Sequence, residues 1–152
     1  MNDSLAARVS EALHRRWEPV YRSRLHYVVT WSTRRHKSAL KERHARRLGE
    51  IIPRLCEERG FACIEVAAGQ DHVHVLFGLR PSQSVATAVR EIKSRAGLEL
   101  LSDFPELRVW LGGNLVWDDR YSVETVSAAR LERVRERLKS LHDRTEPLAQ
   151  AS

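Results

Sequence analysis

The fold that this chain predicts is α+β: an antiparallel sheet of ferredoxin-like type, with helices on one face. Three observations lead there. Strand-like and helix-like segments alternate in the order βαββαβα, the strand segments are β-branched and aromatic, and the helix segments place apolar residues three and four apart. Without its last helix that order is the split βαβ arrangement. A length of 152 residues suits one domain with a core of its own.

The elements follow in order. Ser4 is placed to cap a short helix with Leu5, Val9, Ala12 and Leu13 along one stripe, ending before Pro19, so residues 1–20 read as an N-terminal helical extension. The main domain is expected over residues 21–146. Its first strand is Leu25–Trp31 (LHYVVTW), followed by the basic loop STRRHK. Leu40, Leu48, Ile51, Ile52 and Leu55 recur at helical spacing, with Pro53 expected to kink or interrupt the last turns and Gly60 to end them. FACIEV and HVHVLFGL then read as a hairpin joined by AAGQD. Pro81 and Ser84 open a helix with Val85, Ala88, Val89 and Ile92 inward and Arg90, Lys93 and Ser94 outward. A loop containing SDFPEL and WLGGN leads to the strand YSVETV. Ser127 is then expected to cap a last helix with Leu131, Val134, Leu138 and Leu141 inside. Residues 147–152, after Pro147, read as a loose tail.

The charge balance is 26 Lys and Arg against 20 Asp and Glu, a net charge of +6 with a sequence pI near 9.9. It favours a polyanionic partner, although an arginine-rich solvated surface gives the same total. Cys56 and Cys63 fit no CxxC pattern and read as reduced thiols. The charged N-terminus is unlike a signal peptide and no segment reaches membrane-spanning length, so a soluble cytoplasmic protein with no membrane partner is expected.

The segment GQDHVHVLFGL holds the most specific chemistry. In an extended strand His72, His74 and Leu76 point one way and Val73, Val75 and Phe77 the other, which makes the valine side a core face. Rotamer choice can bring two ring nitrogens onto one ion. By itself, a His-x-His strand is as compatible with a structural or solvent-facing pair.

Taken in order, DHVHVLF in a central strand, a Pro-Ser helix ending in IKSR, GGNLVW, and YSVETVS leading into a basic helix resemble the HUH (His-hydrophobic-His) single-tyrosine transposases of small bacterial insertion sequences. That group includes the transposases associated with repeated extragenic palindromes. The resemblance covers about Tyr21 to Arg144 and includes YVVTWSTRRH. It implies DNA transposition: His72 and His74, with a third polar ligand, hold Mg²⁺ or Mn²⁺, while a tyrosine attacks the phosphodiester of a single-stranded DNA hairpin. The product is a 5′-phosphotyrosine and a free 3′-hydroxyl. No nucleotide cofactor is needed, and no GxxxxGK[ST] phosphate loop occurs.

The family's tyrosine lies on the final helix, with the third ligand, commonly Gln, one turn later. Ungapped placement puts Arg137 at the first position and Leu141 at the second. Arginine stays protonated and leucine has no donor atom, so metal binding is expected to be weak and strand cleavage doubtful. Tyr121 is the nearest weak substitute, with packing under the last helix as its structural reading. Tyr27 and Tyr21 match no family position, and His142 is turned about 100° from Leu141 on the helix.

The resemblance further implies a homodimer and DNA contacts at Arg34, Arg35, Lys37 and Lys93. The plain alternative for the loop and for Arg130, Arg133, Arg135 and Arg137 is a solvated charged surface, and for Trp31 and Trp117 core or sheet-edge packing. Two other functions stand beside an active transposase: a domesticated relative that binds DNA without cutting it, and a ferredoxin-like RNA-binding domain. The last lacks the aromatic pattern of an RNA-recognition sheet.

Overall fold

The computed structural model describes residues 24–151, with side chains through residue 141. The extension expected over residues 1–20 and Tyr21 lie outside the described residues, as does the His142 side chain. The elements are β1 (Leu25–Thr33), α1 (Glu42–Arg59), β2 (Ala62–Ala68), β3 (His72–Leu79), α2 (Val85–Asp103), α3 (Leu107–Leu111), β4 (Trp117–Val126) and α4 (Leu131–Ala151). The strands form one sheet in the order β2-β3-β1-β4, antiparallel throughout, which is the ferredoxin-like topology.

Alternation along β3 builds a core on each side of the sheet. Val73, Val75 and Phe77 enter the main core, where they meet Leu48, Ile51, Ile52 and Leu55 of α1 and Val89, Ile92, Ala96 and Leu100 of α2. The rings of Tyr27 and Phe61 pack on Phe77, with centroids 6.2 and 6.4 Å away. On the other face Leu76 joins Val28, Ala67 and Val126 beneath Val134 and Leu138 of α4. The two crossover helices thus share one face as expected, while the final helix covers the histidine face. Apolar area removed from water, at roughly 25 cal/mol per Å², is what seats α4 there.

Several local expectations change. Pro53 does not interrupt α1: Ile51, Ile52, Leu55 and Cys56 are buried on either side of it, and that packing outweighs the one hydrogen bond a proline forfeits. Gly60 does end the helix, at φ 76°, with its N–H donating to Cys56 and Glu57. Ser84 caps α2 by accepting from the Thr87 N–H at 3.3 Å. Ser127 makes no side-chain cap and instead precedes a 3₁₀ turn at Ala128–Arg130. The stretch read as a loop contains α3, which buries Leu107 and Leu111. β4 begins at Trp117, ahead of YSVETV, because pairing with β1 continues past a bulge to Thr33.

Two expectations about the final helix also change. Leu141, expected inside, is 38% exposed. α4 also runs on through Pro147 to Ala151, where a loose tail was expected; a proline costs a helix one bond without having to end it. Cys56 and Cys63 are free thiols, as expected. Among the described residues no helix is long and apolar enough to cross a membrane.

Candidate phosphate site and nucleic-acid interface

His72 and His74 stand side by side on β3 with ring centroids 5.0 Å apart and planes at 88°. Each Nδ1 is already engaged. Asp71 Oδ1 holds His72 Nδ1, and Thr30 Oγ1 lies 2.8 Å from His74 Nδ1. Nε2 of each ring is therefore the atom left to meet a ligand, which is the arrangement that fixes histidine tautomers around metals and phosphates. The pKa of His74 is lowered to about 4, first by burial, then by His72 and by the positive charge of Arg137. The ring is consequently neutral at physiological pH and able to donate a lone pair. These two imidazoles fit a borderline divalent ion. Among the described residues no group of three His, Cys, Asp or Glu side chains gathers to hold a metal.

Asp71 and Thr30 complete the site and were not singled out in the sequence. A signal existed for both: Asp71 directly precedes the pair, and Thr30 is a polar residue in an otherwise apolar strand, at the His74 register.

The third component comes from α4. Val134 and Leu138, each 2% exposed, seat the helix against Val28 and Leu76, two residues along the strand from His74 in the same phase. Arg135 reaches Glu65 at 3.7 Å and ties the helix to β2. Arg137, next to the buried Leu138, is exposed, and its charge is felt at His74. The fold thus places a cation beside the two imidazoles.

The basic loop lies at the same end of the sheet. Arg34–His36 form a 3₁₀ turn in which Arg35 and His36 have positive φ values of 59° and 54°. Such backbone is unusual for residues with a Cβ, and buried Thr33 helps hold it. The Thr33 N–H donates to the Asp71 carbonyl at 2.8 Å, and its Oγ1 donates to the Lys37 carbonyl at 2.6 Å. The turn is thereby pinned to the residue that orients His72. Arg34, Arg35 and Lys37 make no ion pair among the described residues. On α1, by contrast, Arg46, Arg47, Arg54 and Arg59 are matched by Glu42, by Glu50 and Asp103, by Glu58 and Glu99, and by Glu91. Unmatched positive charge therefore gathers around the site rather than on that helix.

Tyr121, the weak substitute nucleophile, and Lys93, expected to contact DNA, both lie away from the imidazoles. Tyr121 pairs with Trp31 across β1 and β4, in the phase that faces the main core, whereas Thr30 and its partner Ser122 hold the histidine phase. Its hydroxyl projects from the opposite face of the sheet to the imidazoles. Nor does Tyr121 pack under the last helix; it borders a groove of about 560 Å³ between α2 and β4. Lys93 lies in the same groove, where its ammonium donates to the backbone carbonyls of Asp118 and Arg120. Burial lowers its pKa, and the Trp117 indole N–H donates back to the Lys93 carbonyl at 2.9 Å. Lys93 braces the start of β4, and Trp31 and Trp117 pack edge to face beside it with centroids 5.8 Å apart.

A ferredoxin-like sheet with paired histidines on an inner strand and a last helix laid over them is a transposase-like domain. The chain belongs to the family described as IS200-like transposases, whose model matches residues 20–140. It is 25% identical over 124 residues to the ISDra2 transposase TnpA of Deinococcus radiodurans, covering 82% of this chain and 89% of that protein. It is 26% identical over 113 residues to the transposase for insertion sequence element IS200 of Salmonella typhimurium, covering 74% and 70%. In fold it resembles the crystal structure of a putative transposase from Deinococcus radiodurans, with a TM-score of 0.64 and 24% identity over 79% of this chain and 92% of that one. It also resembles a REP-associated tyrosine transposase bound to a REP hairpin, with a TM-score of 0.53 and 16% identity over 80% and 66%.

Proposed function

We propose that this protein binds single-stranded DNA folded as a hairpin and holds one backbone phosphate at His72, His74 and Arg137 without cutting it. The observation that carries the reading is the cation that α4 sets beside the imidazole pair, at the position where the family resemblance calls for a nucleophilic tyrosine. A guanidinium cannot attack phosphorus, but its fork of N–H donors matches two phosphate oxygens. Arg34, Arg35 and Lys37 would grip neighbouring phosphates at the same end of the sheet, as expected of a folded strand read through its backbone. Hairpin recognition draws support from the fold shared with the hairpin-bound REP-associated transposase. We place the protein in the cytoplasm with its DNA.

An RNA-recognition role is less well supported. Such sheets offer an open face bearing aromatics, whereas here α4 covers the histidine face and α1 and α2 cover the other.

Affinity for a hairpin should exceed that for blunt duplex of equal length and fall with salt. The slope of log affinity against log salt should be about −0.7 per phosphate neutralised on a single strand. Arg34→Gln and Arg35→Gln should each flatten it by roughly that amount. Fluorescence anisotropy across a salt series measures both, and equal affinity for hairpin and duplex would remove the reading.

Nε2 of His72 and His74 would hold a divalent ion, Mn²⁺ better than Mg²⁺ because imidazole suits the softer ion. When bound, the ion offsets phosphate charge at the site. Calorimetry should show weak Mn²⁺ binding that is lost in the His72→Ala, His74→Ala variant; indistinguishable isotherms would contradict it.

A homodimer is the expected assembly. β4 is an edge strand whose residues 119–125 are all exposed, and an open edge of that length pairs readily with a second copy. Light scattering at micromolar concentration should give twice the 17.5 kDa chain mass, and a monomeric mass would count against it.

A further inference from the structure

Beyond the phosphate site lies a second feature, centred on an indole that the proposed hairpin reading does not use. Trp110, on the short helix α3, is 38% exposed despite its size. It borders a pocket of about 380 Å³ whose other walls are Lys37, Ser38, Ala39 and Lys41. Two cations and an indole therefore line one notch. The indole is held from several sides. Arg43 lies over the ring at 5.6 Å and is itself fixed by Glu106 at 3.1 Å. The fully buried His44 meets the indole edge-on at 5.8 Å and also packs on Phe104 at 4.6 Å. Lys37 Nζ donates to the Trp110 carbonyl at 3.3 Å. A side chain fixed in this way can receive a flat partner without first losing rotamer freedom.

A chain of hydrogen bonds ties the notch to the phosphate site. Asp71, which orients His72, is bonded to Thr33; Thr33 is bonded to Lys37; and Lys37 reaches Trp110. A strand whose phosphates lie along the Arg34–Lys37 turn would run directly past the indole.

We propose that this pocket receives one unpaired nucleobase of the single-stranded segment flanking the hairpin. The base stacks against Trp110, and its phosphate is held by Lys37 and Lys41. The chemistry is that of sequence-tolerant single-strand binding: an aromatic surface for any base, with cations for the backbone beside it. A blunt-ended hairpin has no such base to offer, so the pocket distinguishes a stem that continues into single strand from one that does not. A purely structural role for Trp110, as a lid over His44, would not depend on the DNA end.

This inference rests on the hairpin reading, and the test separates the two. Anisotropy with the full chain would compare one labelled hairpin with and without a four-nucleotide extension, placed on either side in separate samples. The wild type should bind one of the extended hairpins on the order of tenfold more tightly than the blunt one. In Trp110→Ala the two affinities should converge, while Trp110→Phe should keep part of the difference. Lys41→Gln should reduce it and make it less salt-dependent. Because Trp110→Ala also removes packing on His44, its thermal melt is recorded alongside, and the Phe and Lys41 variants decide if it unfolds. An extension effect unchanged in the Phe and Lys41 variants as well as in Trp110→Ala, or no extension effect in the wild type, would overturn the pocket assignment while leaving hairpin binding intact. No preference for hairpin over duplex would instead defeat the reading beneath it.

Discussion

The double variant Arg137→Tyr, Leu141→Gln is expected to form a covalent adduct with a hairpin substrate in Mn²⁺, where the wild type forms none. Both positions lie on α4 four residues apart, so their side chains share one face a turn from each other. Neither is a buried anchor: Arg137 is exposed and Leu141 is 38% exposed, while Val134 and Leu138 hold the helix down. The fold should therefore tolerate both changes within about 0.5 kcal/mol each. The tyrosine supplies a nucleophile at that position. Its oxygen forms the bond to phosphorus as the bond to the 3′-oxygen breaks, and the phenolic proton leaves to solvent. Glutamine would supply an oxygen donor for a divalent ion beside the two Nε2 atoms. Arg137→Tyr alone should give less adduct, because the ion then has only imidazoles from the protein. Hairpin binding without adduct in the double variant would show that α4 does not put residue 137 where a nucleophile belongs.

Phe77→Ala is expected to lower unfolding free energy by about 3–5 kcal/mol, as large aromatic truncations in cores do. At this chain length that corresponds to a fall in melting temperature on the order of 10 °C. Phe77 is 1% exposed at the centre of the main core, and neither the tilted Tyr27 ring nor the edge-on Phe61 ring can refill its volume. On the other face, Leu138→Ala should cost about 2–5 kcal/mol and act differently, by loosening α4. Hairpin affinity measured well below the melt should survive Phe77→Ala and suffer in Leu138→Ala, since only the second moves Arg137 off the imidazoles. Equal losses in both would mean that α4 docking is not what assembles the site.

The difference between those two cores also explains how far the sequence could be read. The strict alternation of His72–Phe77 already tells which residues share a face, so the histidine phase and the valine core were legible. The heptad-like stripe Leu131, Val134 and Leu138 announced a helix with an apolar side, but periodicity cannot say which sheet face that side will cover. The distance in space between Tyr121 and the imidazoles was hidden for a related reason: their strands are separated by β1, and only the register of Trp31 with Tyr121 puts them on opposite faces. Lys93 looked like any outward cation on an amphipathic helix, yet two carbonyls at the start of β4 claim it. Pro53 misled in the opposite way, because local propensity lost to the burial around it. Trp110 carried no pattern at all. Its surroundings come from α1 and from the loop after β1, far away in sequence.

The central claim is that this site holds a DNA phosphate without breaking its ester. The most direct measurement incubates wild-type protein and Mn²⁺ with end-labelled hairpins taken from the gene's own flanks, then splits each sample between a native and a denaturing gel. A retarded complex is expected in the native gel and only free, full-length strand in the denaturing one. A labelled species that stays with the protein under denaturing conditions, or a shortened strand, would show that a nucleophile is present and that Arg137 does not mark a silent site.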